Sequence, residues 1–84
     1  MATSRTFEIL WGKFENEQTA FESLKSKSQN SDIPAEKKSE RLNIIKKNLE
    51  DIIVRAQNEL RDPWEEDMMI KSADVLLKEV ILFF

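Results

Sequence analysis

One glycine, Gly12, and two prolines, Pro34 and Pro63, are all the chain-breaking residues in 84 positions. Few tight turns can be built from so little, which favours a handful of long elements over many short ones. The prolines also say where the breaks fall. The stretch SKSQNSDIP, residues 26–34, is polar and serine-rich and ends in a proline suited to the first turn of a helix. The stretch RDPWEE, residues 61–66, supplies Asp62 as a cap, Pro63 for the first helical position and Glu65 at the capping-box spacing. Asp62 is also pushed out of the helical region by the proline that follows it. These signals predict three helices, at about 5–28, 34–61 and 63–84.

The apolar residues repeat with a helical and not a strand period. In the first segment Phe7, Leu10, Trp11, Phe14, Phe21 and Leu24 share one face, interrupted by Glu17 and Gln18. Glu17 is expected at the edge of this stripe, reaching water, the alternative being a polar layer that fixes the register of the bundle. In the second, Leu42, Ile45, Leu49, Ile52, Ile53, Ala56 and Leu60 form a stripe roughly 100° wide, with Ile44 and Val54 outside it. At 1.5 Å per residue the helices span about 36, 42 and 33 Å, similar enough to lie side by side. Short connections then give an all-α, antiparallel up-down-up three-helix bundle in one domain. Trp11 and Trp64 fall near one end, and Phe83 comes level with Phe21 and Leu24 at the other.

The third segment has more apolar surface than one core requires. Eight of the last ten residues, VLLKEVILFF, are apolar. Met68, Met69, Leu76, Val80 and Phe83 form the natural core face. Ile70, Leu77, Ile81 and Phe84 form a second stripe displaced by about 100°, with the seven-four-three spacing of a heptad seam. The polar strip left over, Asp67, Lys71, Asp74 and Lys78, is narrow. Either helix three sits in the groove between the other two, or the second stripe meets another chain or a later segment of a longer protein. Ile70, Leu77, Ile81 and Phe84 are therefore the candidate partner-binding residues, and the Phe-Phe ending suggests a last helix that continues.

Other chemistry is poorly supplied. Histidine, cysteine and tyrosine are all absent, so acid-base and nucleophile candidates reduce to carboxylates, lysines and hydroxyls. One glycine cannot make a phosphate-cradling loop. The acids of EED, residues 65–67, sit in a first helical turn, where they offset the positive end of the helix dipole instead of wrapping a cation. The expectation is no enzyme, no metal and no cofactor. Absence of cysteine excludes a disulfide scaffold, the N-terminus has no apolar signal region, and no run approaches the ~20 apolar residues of a membrane span. An intracellular, cytoplasmic location is the default expectation.

The net charge of -3 is unevenly placed, with six acids and two bases in residues 62–84. Lys37, Lys38, Arg41, Lys46 and Lys47 scatter round helix two among Glu36, Glu40, Glu50 and Asp51, the mark of a solvated face. No segment has the one-signed basic field that phosphate binding requires. The tripeptide DPW, residues 62–64, resembles the peptides that endocytic clathrin-adaptor appendages bind, but those act from disordered segments and this copy starts a helix. In shape alone the expected architecture is similar to the N-terminal three-helix domains of syntaxin-type SNAREs and to spectrin-like bundles. The expected function is a non-catalytic protein–protein interaction module that self-associates or binds a partner helix through helix three. The alternative from a different class is a regulator binding nucleic acid or a membrane surface through helix two.

Overall fold

The computed structural model describes residues 4–29 and 33–84, so residues 30–32 of the expected first linker lie outside the described part. Its elements are α1 (Arg5–Gln29), α2 (Ala35–Glu59) and α3 (Pro63–Phe83), packed as an all-helical three-helix bundle with no strand among the described residues. The bundle is a rod, 44 Å long and 19 by 15 Å across.

Each boundary has a local cause. Ser4 caps α1: its hydroxyl accepts the Phe7 amide at 3.1 Å, and its carbonyl accepts the Glu8 amide at 3.1 Å. Pro34, expected inside the first turn of α2, is instead the residue before it, extended at φ -62° and ψ 149°. Its side chain has no cap to offer, and its carbonyl opens the ladder by accepting from Lys38 at 3.0 Å. α2 stops two residues short of expectation because Leu60 turns extended (φ -84°, ψ 125°), which buries its side chain. Asp62 then caps α3, its Oδ1 accepting from the amides of Trp64 at 2.8 Å and Glu65 at 3.3 Å, with Pro63 in the first helical position.

The core runs the length of the rod. Leu10, Leu42, Leu49, Ala56, Met69, Ala73 and Val80 are fully buried, joined by Phe7, Phe14, Phe21, Leu24, Ile45, Ile52, Leu60 and Leu76. A Leu, Ile or Phe side chain buried in this way contributes about 1.5–3 kcal/mol of hydrophobic stabilisation. Aromatic contacts mark both ends. Phe7 stacks on Trp11 with ring centroids 5.7 Å apart and meets Trp64 at 6.1 Å, so the two tryptophans share one end. At the other end Phe83 meets Phe21 edge to face at 5.6 Å, and the Lys38 ammonium lies 4.4 Å from the Phe83 ring centre.

Two expectations about the α3 core face need correction. Met68 is 37% exposed, and the buried position is Ala73, one turn beyond Met69. At about 100° per residue, Met68 lies a full quarter-turn from Met69 and cannot share its environment. Phe83 is half-buried, packed on the core from its edge.

Glu65, the one buried charged residue among those described, does not close a capping box on Asp62. Its carboxylate crosses to α1, where Oε2 accepts the Ser4 amide at 2.7 Å and Oε1 accepts the Ser4 hydroxyl at 2.8 Å. The parallel arrangement of α1 and α3 puts both helix starts at one end, and the carboxylate offsets the positive dipole ends of both.

Candidate functional site

The four residues expected to form one spare stripe on α3 are divided by the structure. Ile70 and Leu77 are half-buried and pack on the core, whereas Ile81 is 48% and Phe84 53% exposed. The cause is the position of α2, which packs against α3 more extensively than either packs against α1. Ile70 and Leu77 lie on the flank of α3 that α2 covers, together with Ile53 of α2 among the partly buried residues round the core. Only the last turn of that stripe remains open.

A second apolar flank lies on the opposite side of α3. Met68, Val75 and Leu82 are spaced by seven, so they fall on one line along the helix, with Trp64 one turn above Met68. Val75 is 60%, Leu82 86% and Trp64 58% exposed. Trp64, Val75 and Leu82 fall in neither face expected from the sequence, although the seven-residue spacing that joins the last two to Met68 is present there to be read.

This flank borders an open groove between α1 and α3. Its upper part holds about 500 Å³ between Trp11, Phe14 and Gln18 of α1 and Lys71, Ser72, Val75, Leu76 and Glu79 of α3. It continues past Glu79 to Phe21, Lys25, Leu82 and Phe83. The groove exists because α1 and α3 pack least closely of the three pairs. Gln18, one of the two residues that interrupt the α1 stripe, is exposed on this side. The other, Glu17, is half-buried at the opposite seam, where its Oε1 accepts from Asn48 Nδ2 of α2 at 3.1 Å. The expected edge position of Glu17 is thus found, with an interhelical hydrogen bond added.

Charges around the groove differ in how far they are engaged. Lys71, which lines the groove, pairs with Asp67, and Lys78 pairs with Asp74, each at 3.1 Å. Lys25 is drawn over the Phe21 ring, 4.8 Å from its centre. On α2, Arg55 binds Glu59 at 2.8 Å, which raises the arginine's pKa and holds the Glu59 carboxyl below the usual carboxylate value. Both groups are solvent-exposed, where such pairs add little stability.

The described residues contain no cluster of three or more acids able to hold a metal ion, and no helix among them is long and apolar enough to cross a membrane. Two further spaces lie at the α1–α2 seam, one lined by Lys13, Asn16, Glu17 and Asp51 and one by Ala20, Arg41 and Ile44. Compared with models of protein families, with curated proteins and with solved structures, the chain finds no match in any of the three.

Proposed function

We propose that the protein is a non-catalytic helical interaction module that associates with another helix, from a second copy or a different chain, through α3. One observation carries the proposal. Of nine exposed large apolar side chains among the described residues, six lie in residues 63–84: Trp64, Met68, Val75, Ile81, Leu82 and Phe84. Scattered single apolar residues need no explanation, but four of the six, Trp64, Met68, Val75 and Leu82, share one flank of the helix, and such a concentration is the mark of an interaction face. The lack of histidine, cysteine and tyrosine supports the non-catalytic part. A nucleic-acid or membrane role for α2 draws no comparable support, since Lys38 and Arg55 are engaged with Phe83 and Glu59.

The test is sedimentation of the wild type and of Val75→Glu/Leu82→Glu, alone and with a helical peptide carrying leucine at its heptad core positions and glutamine beside them. The wild type should self-associate or hold the peptide. The double variant should do neither while melting at the same temperature, because both side chains already face water. A wild type that stays monomeric and ignores the peptide contradicts the proposal, as does association that survives both substitutions.

A further inference from the structure

We infer that the chain pairs with a second copy of itself, α3 against α3 in antiparallel order, about a two-fold axis at the level of Ser72 and Ala73. The inference deepens the interaction-module proposal and rests on it. An apolar flank alone does not choose a partner; here the charges beside it do. Asp67, Lys71, Asp74 and Lys78 form one strip along α3, about 65° round the helix from the line of Trp64, Met68, Val75 and Leu82. The border between strip and line lies directly opposite the buried Met69, Ala73 and Val80, so neither α1 nor α2 stands in front of it. An isologous contact brings the same patch of both copies together, so strip meets strip and apolar line meets apolar line. The strip alternates in sign along the chain, and reversing its direction turns it into its own complement. About the stated axis, Asp67 comes level with Lys78 of the second copy and Lys71 with its Asp74, and the symmetry doubles these into four meetings of opposite charge. The same register sets Trp64 within one residue of Leu82 of the second copy, and Met68 within two of its Val75. Charge and bulk thus agree on one register. A shift by one heptad keeps only two of the four charge meetings, and a parallel pairing in register sets like charges level. Lys71 is 75% and Lys78 72% exposed, and each donates to one carboxylate of its own helix. An ammonium has three donors, so each lysine can serve an acid on both copies.

The experiment is sedimentation equilibrium of the full chain over a range of concentrations. The wild type should dimerise reversibly, and an excess of the leucine-seam, glutamine-flanked peptide should dissociate the dimer. Lys71→Glu/Lys78→Glu makes the strip wholly acidic, and Asp67→Lys/Asp74→Lys makes it wholly basic. Each variant alone should dimerise about tenfold more weakly than the wild type. Mixed one to one they should recover the wild-type affinity as a heterodimer, with the gain shrinking as salt rises. The four side chains are largely in water, so thermal melts should show both variants folded. The chain has no cysteine, which allows a second readout. Lys71→Cys places its two copies about 4.5 Å apart along the helix axes and should oxidise to a covalent dimer, whereas Ile44→Cys on α2 should not. Self-association that both charge variants retain, or a mixture no tighter than either variant alone, overturns the inference and leaves the interaction-module proposal standing. A wild type that stays monomeric yet binds the peptide does the same. A wild type that does neither removes both. A dimer that excess peptide leaves intact, or one that cross-links through Ile44→Cys and not Lys71→Cys, puts the contact on another face and ends the inference.

Discussion

The Glu65 carboxylate accepts both the backbone amide and the hydroxyl of Ser4, at 2.7 and 2.8 Å, across 61 residues of sequence. The same Ser4 hydroxyl accepts from Phe7, so a single serine caps its own helix and fastens it to another. This clasp sets the register of α1 against α3, beside the Phe7, Trp11 and Trp64 rings. The groove runs away from it toward the other end of the rod.

Glu65→Ala should destabilise the fold by about 2 kcal/mol, because hydrogen bonds to a charged group are lost and a helix start loses its partner. Ser4→Ala should cost about 1 kcal/mol as a lost cap. The double variant should fall short of the sum, with a coupling of about 1 kcal/mol in a thermodynamic cycle from urea melts. Strict additivity would mean that the two residues do not interact in solution.

Asp62→Ala should cost about 1 kcal/mol, since its oxygen serves the two amides at the start of α3. Pro63 still fixes the break, so helical content by circular dichroism should be unchanged. An unaltered melting temperature would show that the cap contributes nothing.

The core and the open face of α3 should respond in opposite ways. Leu76→Ala leaves a cavity among buried neighbours and should cost about 2–5 kcal/mol. Ile81→Lys places a charge where water already is and should change stability by no more than about 0.5 kcal/mol. Leu77→Ala should fall between them, because that side chain is half-buried against the core. Equal losses at Leu76 and Ile81 in thermal melts would contradict the assignment of faces.

Much of this architecture was legible in the sequence because it is periodic. The α2 stripe from Leu42 to Leu60, the break at Asp62–Pro63, the shared end of Trp11 and Trp64 and the meeting of Phe83 with Phe21 all follow from spacing and helix length. Three features were not. Ala73 is small enough to be passed over, yet it fills the turn between Met69 and Leu76. Glu65 carries a local capping signature and is used across helices, a choice only tertiary packing can make. The flanks of α3 are the instructive case. Hydrophobicity along the helix reveals that it is apolar on both sides of its core face. Which flank α2 covers depends on the hand of the bundle, and the apolar pattern does not encode that hand. So Ile70 and Leu77, with their heptad spacing, read as spare and are partly used, while Val75 and Leu82 are the ones left open.

Gly12 offers a stabilising change. It lies within α1, and a methyl group added there would meet no atom within 4 Å. Gly12→Ala should stabilise by about 0.5–1 kcal/mol through helix propensity and a less flexible unfolded chain. The melting temperature should rise by about 2–8 °C. A fall would mean that α1 is not helical at that point.

Methyl-resolved NMR of the full chain during titration with the leucine-seam, glutamine-flanked helical peptide addresses the interaction face most directly. The account predicts that the methyl signals of Met68, Val75 and Leu82 shift together and saturate at one equivalent, while those of Ile44 and Val54, exposed on α2, stay in place. Shifts confined to Ile44 and Val54, or no shifts at saturating peptide, would contradict it.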